Sequence, residues 1–157
     1  MKTVLRTEQD RNRLREIVGG LSLDSPKEVE IKEHKANRSV SQHRLMWVWN
    51  TVLGAELGES KEEIHERNKE RFLVPIYERD DPEFAEMIEA VREVYRAGMQ
   101  EKAQMLFRRI VKLTSTTTAN VKQMTEYLDE IEKDAMNLNI YLPHPEDLYR
   151  EAFGRAA

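Results

Sequence analysis

The spacing of apolar residues changes period along this chain, and each change marks an element. Thr3, Val4, Leu5 and Arg6 form a short run that predicts a strand. Thr7 or Glu8 then opens a polar helix over residues 9–18, with Leu14, Ile17 and Val18 on one face and Gly19-Gly20 as its stop. Residues 21–27 form a loop around Pro26. Val29 and Ile31 then alternate with charges over residues 29–34, the pattern of a half-buried strand. Ser39-Val-Ser-Gln42 matches a capping box and predicts a helix to Leu57, apolar at Leu45, Met46, Trp49, Val52 and Leu53, ended by Gly58.

A second capping box, Ser60-Lys-Glu-Glu63, opens a highly charged helix to Phe72. Residues 73–80 are expected to be a connector broken by Pro75. Asp81-Pro82 supplies an N-cap and a first-turn proline. The helix that follows carries Phe84, Met87, Ile88, Val91, Val94 and Tyr95 and extends toward Leu106, with Gly98 as a point of interruption. The β-branched character of residues 107–113 fits either a third strand or the tail of that helix. The threonine-rich residues 113–118 are expected to be extended or looped. Asn120 with Gln123 caps a helix apolar at Val121, Met124, Leu128, Ile131, Ala135 and Leu138, and Pro143-His-Pro-Glu begins a last helix ending at Gly154. The pattern as a whole predicts an α+β fold, mainly helical with a small sheet of about three strands, in a single domain over residues 1–157. Within it lie a strand–helix part (1–58), a charged helical part (59–112) and a C-terminal helical part (113–157).

Composition narrows the chemistry. The 157 residues contain no cysteine, which removes disulfides, thiolate zinc sites and thiol nucleophiles together. The first residues have no apolar stretch of signal-peptide length, and no apolar run approaches the roughly 18 residues of a membrane span, so the cytoplasm is the expected location. The net charge of −4 is unevenly spread. Residues 1–50 hold ten Lys/Arg against seven Asp/Glu, whereas residues 51–157 hold fifteen against twenty-two. A basic first third on an acidic body makes a local positive face possible.

That face has candidate residues. Lys35, Arg38 and Arg44 lie within ten positions and suit a phosphate backbone. Trp47 offers a ring for stacking an unpaired base, and Gln42 either closes the capping box or bonds a phosphate or base edge. Trp49, two positions from Trp47 and beside the Leu45/Val52/Leu53 stripe, reads as core. Arg6, Arg11 and Arg13 flank the first strand–helix junction. Thr117 and Thr118 offer hydroxyls, and Arg150 and Arg155 add C-terminal cations. The histidines His34, His43, His65 and His144 are scattered, without metal-ligand spacing, and no phosphate-binding loop, nucleophile elbow or zinc-protease motif is present. No catalytic residue, metal or cofactor is therefore expected. A protein-interaction module and a metal-dependent nuclease remain the alternative readings.

Three segments give this face a precedent. They are Val4-Leu-Arg-Thr7 leading into Gln9-Asp-Arg-Asn12; Arg38-Ser-Val-Ser-Gln-His-Arg-Leu-Met-Trp47; and Ser115-Thr-Thr-Thr-Ala-Asn-Val-Lys-Gln-Met-Thr-Glu-Tyr-Leu128, with Pro143-His-Pro-Glu-Asp-Leu-Tyr149 as a related ending. In this order the chain resembles the lambdoid phage Orf (NinB) family of recombination-mediator proteins. The middle segment is similar to an Arg-Ser-Leu-x-Gln-Asn-Arg-x-x-Trp signature, with His43 in place of the usual asparagine. Thr118 stands where some members carry an arginine implicated in DNA binding. Residues 59–112 have no counterpart and read as an insertion. The resemblance implies a homodimer, intertwined or paired, with a cleft or channel that binds single-stranded DNA without sequence preference. It further implies loading of a recombinase or annealing protein onto strands coated by single-strand binding protein.

Overall fold

The computed structural model describes residues 3–5, 7–32 and 37–155, and the chain divides into two compact units, Met1–Ala36 and Asn37–Ala157. In the first, α1 spans Glu8–Gly19. Thr7 caps it: its hydroxyl accepts from the Asp10 N–H at 3.2 Å, while the Asp10 carboxylate accepts from the Thr7 N–H at 2.9 Å. No residue of α1 is buried, and the described residues after it, 21–32, are exposed.

The expected sheet is absent: no strand occurs among the described residues. Residues 3–5 and 29–32 are non-helical but unpaired, and Arg6 and residues 33–34 lie outside the described residues. Alternation alone does not make a strand; it needs a partner edge and an apolar face to cover. Ile31 is 81% exposed, so its alternation with charges covers nothing. The third candidate strand, residues 107–113, is helical. The fold class is therefore all-helical rather than α+β.

In the second unit, α2 spans Arg38–Leu57. Asn37, not Ser39, is its N-cap, the Asn37 side-chain oxygen accepting from the Val40 N–H at 3.3 Å. The helix thus starts two residues earlier than a Ser39 cap would set it, and it turns Leu45, Met46, Trp49 and Leu53 inward. The helix ends at Gly58, and Gly54 lets the chain double back: a Cβ there would stand 2.5 Å from the Glu59 carbonyl oxygen.

Helix α3, Lys61–Asn68, is capped by the Ser60/Glu63 box as the sequence predicts. It does not stop at Phe72. A π-helical turn, Lys69–Leu73, leads directly into α4, Val74–Asp80, with Pro75 in its first turn. A proline needs no N–H partner, but its ring collides with the carbonyl four residues back in a regular helix. The wider turn, in which the Val74 N–H bonds the Lys69 carbonyl, relieves that collision and carries the helix past Pro75.

Asp81 caps α5, Pro82–Arg96, and Gly98, at φ +87°, turns the chain into α6, Gln100–Leu113. The two pack as a helical hairpin around a small cluster of Val74, Ile88 and Val111, flanked by Phe84, Phe107 and Ile110. A 3₁₀ turn, Thr116–Thr118, precedes α7, Val121–Asn137, capped by Asn120 and Gln123; α8, Glu146–Phe153, follows.

The main core lies where α2 packs on α8, α3 and α7. Trp49 is its centre, fully buried, with its indole N–H donating to the Pro143 carbonyl at 2.8 Å and its ring against Phe153 and Tyr149. Burial of side chains this large contributes about 2–3 kcal/mol each, so the aromatic contact between α2 and α8 fixes where the outer face of α2 points.

Candidate nucleic-acid interface

Positions 40, 44, 47 and 51 recur at helical spacing on the side of α2 opposite Trp49, and all four are exposed. Arg44 has no carboxylate partner among the described residues. Trp47 keeps 37% of its surface in solvent, and one side of its ring packs on His65 of α3 at a centroid distance of 4.7 Å.

The ground around this pair is rich in nitrogen. His43 lies one position from Arg44. Its Nδ1 is 2.8 Å from the Ser39 carbonyl oxygen and its Nε2 is 3.1 Å from that of Thr116. A neutral ring donates to one of these and a protonated ring to both. Lys69, at the start of the π turn, is buried and donates to the carbonyls of Thr114 at 3.0 Å and Lys112 at 3.4 Å. Tyr77 completes the frame, donating to the Ser115 carbonyl at 2.7 Å, with Thr118 Oγ1 3.1 Å from its hydroxyl. Residues 114–118 are thus held by three side chains from three elements, and Thr117 and Thr118 lie exposed on the resulting turn.

The electrostatics follow. Burial, then the charge of Lys69, then that of His43, push His65 down to about 4. Its Nδ1 is buried without a hydrogen-bond partner. Burial also lowers Lys69, with only Glu66 acting against it. At about 4 the His65 ring is uncharged near neutral pH, so the local positive field is that of Lys69 and Arg44, without a contacting carboxylate among the described residues, and an anion would relieve it.

Other expected contacts sit elsewhere. Gln42 neither caps nor faces out: it is fully buried, its amide donating to the Val121 carbonyl at 3.1 Å and to Thr125 Oγ1 at 2.9 Å. Arg38 is committed to the C-terminus of α8. It donates to the carbonyls of Ala152 at 2.9 Å and Phe153 at 2.8 Å, and to Thr125 Oγ1 at 3.1 Å. The shallow groove it lines holds Glu126, Asp129 and Glu130 against Lys122 and Lys133, so it has no excess of positive charge for a phosphate. Arg11 pairs with Glu8 at 2.8 Å, Arg150 with Glu146 at 3.0 Å and Arg155 with Asp129 at 2.8 Å. Arg13 is exposed on α1. Arg6 and Lys35 lie outside the described residues. Of the expected contacts in the second unit, Arg44, Trp47, Thr117 and Thr118 are exposed, as is Arg150 in its pair with Glu146.

His43, His65 and Lys69 were missed as site residues. The signal for two of them was present, because the Ser60 capping box sets a helical register that puts His65 and Lys69 four apart on one face. Among the described residues no three His, Asp or Glu side chains gather as a metal site, and no helix is long and apolar enough to cross a membrane. Comparison with protein-family models, with curated proteins and with solved structures gave no match.

Proposed function

We propose that this protein binds single-stranded DNA without sequence preference and acts as a recombination mediator of the Orf (NinB) type. In this reading Arg44 holds a phosphate, Trp47 stacks a base and Lys69 adds positive field behind them, while His65 backs the Trp47 ring and His43 holds the Thr116 turn. The observation that carries it is the exposed Trp47–Arg44 face beside three nitrogen-bearing side chains with no contacting carboxylate. A positive track with an accessible aromatic is the minimum that sequence-tolerant single-strand binding requires. The mediator role rests on the resemblance of residues 38–47 and 115–128. It brings with it a homodimer, single-strand binding protein, a recombinase or annealing protein as cargo, and the cytoplasm of a bacterial host.

The test is fluorescence anisotropy of a labelled oligothymidine at two salt concentrations, with and without chelator. Binding should fall with salt by about 0.7 in log–log slope per neutralised phosphate and ignore the chelator. Trp47→Ala should weaken it by about 1–3 kcal/mol per stacked base, at least fivefold. Chelator-sensitive cleavage would indicate a nuclease instead. No binding at low salt would refute the proposal and favour a protein-interaction module, for which the exposed Met87, Tyr95 and Met99 of the α5–α6 hairpin are the surface.

A further inference from the structure

The cations of the second unit are not distributed at random with respect to their partners. From residue 51 on, Arg67, Arg71, Arg79, Arg92, Arg96, Lys133, Arg150 and Arg155 each have a carboxylate oxygen within 3.0 Å. Lys69 is turned inward to carbonyls. The side chains of Lys102, Arg108, Arg109 and Lys112 have no ion pair or hydrogen bond among the described residues, and all four lie on α6. Lys61 stands 4.0 Å from Glu62, and Lys122, alone on α7, has no contacting carboxylate among the described residues but lies in the field of Asp80 and Glu126. Carboxylates outnumber cations over this stretch, so four unpaired cations on one helix are a selective arrangement rather than a shortage of acids.

Helical geometry collects these residues on the outer side of the hairpin. Ala103, Phe107, Ile110 and Val111 turn toward α5 and Val74, and the cations occupy the opposite surface with Met105 among them, Glu101 at its start and Leu113, 84% exposed, at its end. From Lys102 to Lys112 the stripe runs about 15 Å, long enough for several successive phosphates. Exposed apolar side chains within a basic stripe also suit the faces of unpaired bases better than a duplex backbone. At its C-terminal end the stripe meets the candidate interface, because Lys69, beside His65 and Trp47, donates to the carbonyls of Lys112 and Thr114.

We infer that the outer face of α6, through Lys102, Arg108, Arg109 and Lys112, is a second phosphate-binding segment that extends the single-strand track beyond Trp47. The inference rests on the DNA-binding reading and assigns that site a length: a short oligonucleotide occupies the Trp47 face alone, and a longer one crosses onto α6.

The experiment compares a short and a long labelled oligothymidine bound to the wild-type chain, to a Lys102→Ala/Arg108→Ala/Arg109→Ala/Lys112→Ala variant and to Trp47→Ala. Arg109→Glu alone serves as a lighter perturbation should the quadruple variant lose its circular-dichroism signature. The quadruple variant should bind the long strand at least tenfold more weakly, with a salt slope smaller by about 3, and the short strand unchanged. Arg109→Glu should weaken only the long strand. Trp47→Ala should weaken both. Wild-type affinity and slope for the long strand in the α6 variants, alongside a weakened Trp47→Ala, would overturn the inference and leave the DNA-binding reading standing. Failure of the wild-type chain to bind either strand would overturn both. Loss of binding to labelled polyglutamate, with DNA binding intact, would assign the face to an acidic protein partner and also overturn the inference.

Discussion

Replacing Arg38 with alanine separates a structural from a nucleic-acid role for the most arginine-like position of the sequence signature. The guanidinium makes three hydrogen bonds, two to carbonyls of the last turn of α8 and one to Thr125 of α7. Carbonyls at a helix end lack intrahelical partners, and a cation there also meets the negative end of the helix dipole. A hydrogen bond from a charged donor contributes about 1.5–3 kcal/mol net, and the dipole adds a few tenths to 1. Arg38 is only half-buried, so water replaces part of what is lost, and the expected destabilisation is roughly 2–4 kcal/mol. For a chain of this size that is a fall in Tm on the order of 4–16 °C. Urea denaturation followed by circular dichroism measures it, with Arg44→Ala, which breaks no contact, as the control expected to change stability by under about 0.5 kcal/mol. Arg38→Lys should recover only part of the loss, because an ammonium cannot span three acceptors with a planar fork. An Arg38→Ala chain with wild-type stability and weakened DNA binding would refute the reasoning and return Arg38 to the interface.

Three other outcomes follow from the geometry. Gly54→Ala places a methyl 2.5 Å from the Glu59 carbonyl oxygen, a backbone atom that cannot swing aside, so chemical denaturation should show a loss of about 1–3 kcal/mol despite alanine's better helix propensity. His65 titrates near 6.5 in an unfolded chain and at about 4 in the fold, so its contribution is fully present above about pH 6.5 and is lost as pH falls toward 4. The difference in unfolding free energy between wild type and His65→Gln should therefore shift by on the order of 1–2 kcal/mol between about pH 7.5 and about pH 4.5, after allowance for partial solvent screening, and a constant difference would contradict the burial of that ring. Ser60→Ala removes the hydroxyl that accepts from the Glu63 N–H, and should cost about 1 kcal/mol in the same assay.

Much of the helical architecture was legible because capping is local. The Ser60/Glu63 box, the Asp81-Pro82 start, the Asn120/Gln123 box and the Gly58 and Gly154 stops depend on residues within one turn of each other, and each formed as read. What failed depended on distant partners. Val29 and Ile31 alternate correctly for a strand, yet nothing in residues 29–34 says whether an edge exists to receive them. The β-branched residues 107–113 were ambiguous for the same reason, and packing of Phe107, Ile110 and Val111 on the hairpin decided for helix. The Ser39 box did not form because α2 begins two residues earlier, where the Asn37 side chain caps it. In the site, Arg44 and Trp47 were readable from spacing. The internal bonding of Gln42 and Arg38 was not, because Thr125, Ala152 and Phe153 lie more than eighty residues away.

Just after the π turn at Lys69–Leu73, the continuous helix turns one side chain toward a second and much smaller core. Ile64, Leu73, Ile76 and Tyr77 all join the large cluster around Trp49, whereas Val74 joins the three-residue cluster of the hairpin. So little buried apolar surface gives α5 and α6 a lower opening free energy than the body, and their amides should exchange with solvent through a sub-global opening that leaves the Trp49 core closed. Any anion that holds the outer face of α6 then acts as a thermodynamic clamp on that opening, slowing exchange across the whole hairpin, including amides far from any phosphate.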